Sequence, residues 1–227
     1  MSLALLALAY LLGSIPTSFL IGKYFHGIDL RQHGSGNLGA TNALRVLGPK
    51  WAVPVMLGDI AKGFVPVALF AGWSGGAFGW TLAFGAAAIL GHMFSVWVGF
   101  RGGKGMATSA GVFLGLAPWA VLICLLVWCG LTFATGYVSV ASIGAAILLP
   151  PVVALTPHSG GEGLLWFSVA LAAVVIWAHR ANIGRLVRGE ENRFRRGRRR
   201  GSDEESRAAN GGASRGDGAA EGAGHGS

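Results

Sequence analysis

His33-Gly-Ser-Gly-Asn-Leu-Gly-Ala-Thr-Asn-Ala-Leu-Arg45, HGSGNLGATNALR in one-letter code, lies between two long apolar stretches. Glycine lacks a Cβ, so Gly34, Gly36 and Gly39 let the backbone turn sharply and bring N–H groups close to an anion. A helix starting near Ala40 adds its own unpaired N–H groups. Arg45 then supplies a planar fork of charged donors that suits phosphate. Ser35, Asn37 and Thr41 add short polar side chains in the same stretch. A glycine-rich loop is also ordinary punctuation between two helices, so this stretch alone does not decide between a turn and a site.

A second loop of the same kind shifts the balance. Phe100–Thr108 reads FRGGKGMAT, with Gly102, Gly103 and Gly105 around Lys104 and a helix expected from about Met106. It is not a nucleotide-binding Walker loop, because the GxxxxGK[ST] spacing is absent. A single lysine is what a cytoplasmic loop needs to satisfy the positive-inside rule. Three glycines within four residues exceed that need and favour a phosphate cradle.

Around these loops the chain is a membrane protein. Of 227 residues, 52% are hydrophobic and only 12% charged, with a mean hydropathy of +0.55. A soluble domain carries about 25% charged residues. The net charge of +8 divides into +5 over residues 1–180 and +3 over residues 181–227. The basic residues thus sit in short loops and a tail, a pattern of membrane topology before nucleic acid. The first apolar run, Leu3–Leu12, has no Lys or Arg before it and continues to about Ile21, so it reads as a retained span rather than a cleaved leader. Cys124 and Cys129 fall on different faces of one helix, which excludes an intrahelical disulfide. No Cys or His pattern with metal-ligand spacing occurs, so no metal and no cofactor is expected.

The apolar segments are about 3–24, 51–72, 77–98, 107–116, 118–134, 138–156 and 164–178. Pro16 predicts a kink in the first, with Ser14 and Ser18 facing inward. Basic residues mark loops 23–50 and 99–106 and the tail after His179, whereas turns 73–76 and 157–163 carry none. The expected fold is therefore all-α and polytopic, with about seven transmembrane helices, some short or broken, the N-terminus outside and the C-terminus cytoplasmic. Five spans, with 107–156 forming one span and an irregular excursion, is the competing count.

In the seven-span arrangement Thr135–Ser142 (TGYVSVAS) and His179–Arg185 (HRANIGR) return to the face that carries both glycine loops. Ser139 and Ser142 lie one helical turn apart, as do His179 and Asn182. Small hydroxyls also serve simply as helix–helix glue. Asp59 and Lys62, three apart inside the second span, read either as a packing ion pair or as part of the site, and His92 as a lone intramembrane histidine. Residues 1–184 form the expected membrane domain. Residues 185–227 form a tail, with eight Arg between Arg185 and Arg200, attracted to an anionic leaflet and then too polar to fold. No aromatic platform accompanies those arginines, so no nucleic-acid partner is expected.

HGSGNLGATNALRVLG, GHMFSVWVGFRGGKGMAT, TGYVSVAS and HRANIGRL, in this order, resemble the motifs of the bacterial membrane acyl-phosphate:glycerol-3-phosphate acyltransferases over about residues 8–192. The resemblance implies a small, multi-pass, monomeric enzyme of the bacterial cytoplasmic (inner) membrane. It implies transfer of a fatty acyl group from acyl phosphate to the 1-hydroxyl of glycerol 3-phosphate. The products are lysophosphatidic acid and phosphate, in the first step of phospholipid synthesis.

By the same resemblance Ser35, Asn37, Thr41, Gly102, Gly103, Lys104 and Gly105 hold the acyl phosphate. Arg45, Lys104, Ser142, His179 and Asn182 hold glycerol 3-phosphate, and Ser35, Arg45, Lys104 and His179 act in catalysis. Ser95 and Ala181 depart from the family's usual proline and glutamate, and the arginine-rich tail is longer than usual. The expected chemistry is direct attack of the glycerol hydroxyl, with His179 or a donor phosphate oxygen as base. Two other readings remain. A phosphatidyl-type transferase needs an acidic metal cluster, and Asp59 is the lone acid well inside the spans. A membrane carrier for a phosphorylated solute needs a mid-membrane site and often internal symmetry, and the sequence shows no repeat.

Overall fold

The computed structural model describes residues 1–194, and every described element is helical. The arginine run and the polar segment expected beyond that point lie outside the described residues. Residues Met1–Glu191 form one compact unit, so it continues past the boundary at 184 drawn from composition. The reason is local: Arg185 Nε pairs with Glu191 Oε2 at 2.7 Å, which brings the chain back after the last helix.

Pro16 divides the first apolar segment into α1 (Ser2–Ser14) and α2 (Thr17–His26), bent by 43°. A proline lacks the N–H that would continue the ladder, so carbonyls are left over at the break. The donors come from α4 and from the stretch that follows Met93. Lys62 Nζ donates to the Ile15 carbonyl at 2.9 Å, and Ser95 Oγ donates to the Ser14 carbonyl. Ser14 and Ser18 are both buried, as their spacing predicts.

After α3 (Ala40–Leu47), α4 (Pro49–Val65) continues through a π-helical turn at Pro66–Phe70 into the single turn α5 (Ala71–Trp73). Pro66 again removes a ladder donor, which accounts for the wider turn. Then come α6 (Phe78–Met93), α7 (Met106–Leu116), α8 (Pro118–Thr135), α9 (Val138–Leu155), α10 (Gly161–Ala178) and the short α11 (Arg180–Val187).

Five segments, Pro49–Trp73, Phe78–Val98, Pro118–Thr135, Val138–Leu155 and Gly161–Ala178, are long and apolar enough to cross a membrane, and the bent α1–α2 pair is a sixth. The helix α7 is apolar but has 11 residues. That rises only about 16 Å, half of a bilayer core.

Glycines set the closest helix contacts. A Cβ at Gly13 or Gly91 would run into backbone between α1 and α6, and one at Gly63 or Gly111 would do so between α4 and α7. Lipid offers no hydrophobic drive for helix association, so backbone approach of this kind carries the packing. Phe84, Phe113, Val112, Val153 and Leu164 are fully buried between the helices. Leu122, Leu125, Leu126 and Phe133 of α8 are exposed, as a lipid-facing helix requires.

Candidate active site

The first glycine loop is held from within by one side chain. Asn42, buried in the first turn of α3, donates from Nδ2 to the carbonyls of Leu30 (3.2 Å) and His33 (3.0 Å). Its Oδ1 accepts the Ser35 N–H at 2.8 Å. Gly34 and Gly36 adopt φ of 63° and 69°, the left-handed region that a β-carbon disfavours. Arg31, paired with Asp29 at 2.6 Å, reaches the Val98 carbonyl ahead of the second loop. That pair holds the Asp29 carboxyl below its ordinary value. Ser35 and Arg45 are exposed, and Asn37 and Thr41 are half-buried.

The second loop is tied down from outside. The N–H groups of Gly102 and Gly103 donate to the carbonyls of Met93 (3.0 Å) and His92 (3.1 Å), the last turn of α6. They are therefore spent on capping a helix, and the expectation that both cradle a phosphate through these N–H groups needs correcting. The two residues are glycines for another reason. A Cβ at Gly102 would strike the His92 carbonyl, and one at Gly103 would strike the His92 imidazole. Gly105, with φ of 81°, is the N-cap of α7, whose first-turn N–H groups have no carbonyl behind them. The donors of this loop that are not spent on α6 are Lys104 and the first-turn N–H groups of α7.

Lys104 is where the distant motifs meet. Its Nζ donates to Asn182 Oδ1 on α11. Asn182 Nδ2 donates to Glu191 Oε1 at 2.7 Å, and Ser139 Oγ on α9 donates to the same oxygen at 3.1 Å. Arg185 holds the other carboxylate oxygen. Burial pulls Lys104 down to about 8, with Glu191 opposing and the charges of Arg185 and Arg45 adding to the effect. Arg45 also feels the Glu191 and Arg185 charges, which puts the first loop's cation in the same field.

His179 is buried, and its Nδ1 lies 2.8 Å from the Val175 carbonyl. A carbonyl only accepts, so Nδ1 carries the hydrogen and Nε2 is left as the lone-pair nitrogen. Burial and Lys104 lower its pKa to about 4, so the ring is neutral at pH 7. Ser142 sits one turn beyond Ser139 and accepts a hydrogen bond from Trp128 Nε1 at 3.2 Å. It is buried and joined to α8.

A family model described as glycerol-3-phosphate acyltransferase matches residues 3–189. The glycerol-3-phosphate acyltransferase of Desulforudis audaxviator is 48% identical over 191 residues, 83% of this chain and 93% of that protein. That of Geobacter sulfurreducens is 46% identical over 193 residues, 85% and 97% of the two chains. The chain belongs to the glycerol-3-phosphate acyltransferase family. Crystal structures of PlsY, an integral membrane member, agree with the fold. The glycerol 3-phosphate form superposes with a TM-score of 0.77 at 43% identity, covering 85% of this chain and 95% of that one. The lysophosphatidic acid form gives 0.74 at 41% identity, with 85% and 94% covered.

In this acyltransferase Glu191, Ser139 and Arg185 join the Lys104–Asn182 cluster although no motif singles them out. Arg185 is three residues after Asn182, a helical spacing that carried the signal. Glu191 carried none, because GEEN reads as the start of a charged tail. Among the described residues no group of His, Cys, Asp and Glu is arranged to hold a metal.

Proposed function

We propose that this chain transfers a fatty acyl group from acyl phosphate to the 1-hydroxyl of glycerol 3-phosphate, releasing lysophosphatidic acid and inorganic phosphate. It works in the bacterial inner membrane, with the N-terminus outside and the four motifs on the cytoplasmic face. The observation that supports this reading is the convergence on Lys104. One lysine from the second motif meets Asn182 of the fourth and, through Glu191, Ser139 of the third. Arg45 of the first lies in the same field. Lys104, Arg45 and Arg185, which share the field of Glu191, suit substrates that both carry phosphate.

In the reaction the glycerol oxygen bonds to the acyl carbon, the carbon–oxygen bond to phosphate breaks, and the hydroxyl proton must leave. His179, at about 4, is a weak base at neutral pH. A phosphate oxygen, with a second pKa of about 6, is the better acceptor. The proton therefore passes to the donor's own phosphate, and His179 Nε2 orients the acceptor by taking a hydrogen bond from the neighbouring 2-hydroxyl, which leaves the 1-hydroxyl proton free to transfer. Lys104, Arg45 and the first turn of α7 hold the developing and departing charge. Ser35, Asn37 and Thr41 line the acyl phosphate side. Ser142, His179 and Asn182 line the glycerol 3-phosphate side.

The test is phosphate release from acyl phosphate by the purified chain in lipid. Release that depends on added glycerol 3-phosphate, with lysophosphatidic acid formed in equal amount, is the expected result. A carrier for a phosphorylated solute would release none.

A further inference from the structure

Beneath the second glycine loop lies a buried polar cluster that the proposed chemistry does not use. Asp59 and Lys62 of α4 pair at 2.8 Å, and both are almost fully buried. Thr17 Oγ1 donates to Asp59 Oδ1 at 3.1 Å. His92 of α6 faces the same oxygen with Nδ1, at 3.7 Å. The other edge of the imidazole lies directly under Gly103, where a methyl group would overlap Nε2 and Cε1. The same methyl would sit 3.0 Å from the Leu38 carbonyl of the first loop. The main chain of His92 contributes as well, since its carbonyl accepts the Gly103 N–H. One residue thus touches the second loop twice, at the point where that loop meets the first and one position before Lys104.

We propose that His92 is a positioning residue for acyl transfer. Its imidazole, packed under Gly103, fixes the Gly102–Gly103 bend against Leu38 and thereby sets where Lys104 points. This deepens the acyltransferase reading and rests on it. Breaking the ring contact leaves Lys104 in place but free to shift, and a misplacement of about 1 Å costs about 100-fold in rate. The effect falls on kcat more than on the stability of the helices, because α6 stays anchored by Gly13 and Gly91 against α1.

The experiment is a two-residue cycle in the full-length chain in lipid, with acyl phosphate and glycerol 3-phosphate as substrates. Gly103→Ala alone drives a methyl into the ring, and kcat should fall about 100-fold. His92→Ala alone should lower kcat by at least about tenfold. The double variant should be faster than Gly103→Ala alone, because the obstacle is gone. A gain on adding a second truncation cannot come from a general loss of folding. His92→Gln, which restores a polar group of similar reach, should recover part of the rate. The proposal is overturned if His92→Ala and His92→Gln keep wild-type kcat and KM while Lys104→Ala is inactive. It is equally overturned if the double variant is no faster than Gly103→Ala. Failure of the acyltransferase reading looks different: the unaltered chain would form no lysophosphatidic acid.

Discussion

The two glycine loops look alike as strings and are built on opposite plans. In the first, Asn42 satisfies three backbone groups of its own loop, and Gly34 and Gly36 are needed for their positive φ. In the second, Gly102 and Gly103 give their N–H groups to the end of another helix and are needed for close approach. The first loop is braced by a side chain of the helix it leads into, and the second by the end of a different helix. Glycine abundance therefore marks where the backbone is constrained, and the partner of each N–H decides which constraint it is.

The sharpest way to separate the loops is to remove their cations. Lys104→Met should abolish phosphate release while the protein still folds in the membrane, since Asn182 keeps Glu191 as a partner. Wild-type turnover would show that the second loop is scaffolding only. Gly102→Ala comes next. Its Cβ would meet backbone carbonyls that cannot turn aside, so the loop must shift, and activity should drop about 100-fold.

A pH profile sharpens the contrast further. Lys104, lowered to about 8, loses its proton as pH rises through that value, whereas Arg45 stays charged. The rate kcat/KM should fall above pH 8, approaching about tenfold per unit. Lys104→Arg should flatten that limb in whatever activity remains. Asn42→Ala has the smallest effect on chemistry and acts on stability. It strands two carbonyls and one N–H, costing about 1–3 kcal/mol, which a shift of a few degrees in Tm would register.

Much of this was legible in the sequence because local signals are strong where backbone chemistry is special. Pro16 marked the break, and glycine-to-apolar boundaries marked the starts of α3 at Ala40 and α7 at Met106. The spacing of His179 and Asn182 put both on one side of the turn, and the structure sets them beside Lys104. What could not be read were partners chosen by tertiary approach. Nothing local says that the Gly103 N–H finds the His92 carbonyl, or that Glu191 folds back onto Arg185 and Ser139. The kink expected at Pro16 was visible as a lost donor, but the side chains that answer it, Lys62 and Ser95, were not.

Those two answering bonds give the bend at Pro16 a mechanical character. Ser95, in the stretch after α6, grips the Ser14 carbonyl, and Lys62 of α4 grips the Ile15 carbonyl, so the two residues just before the proline are both held from outside. A corner clamped from two directions acts as a rivet and not as a hinge. The angle between α1 and α2 is therefore set by α4 and by the stretch after α6, and bending there would first have to break both bonds.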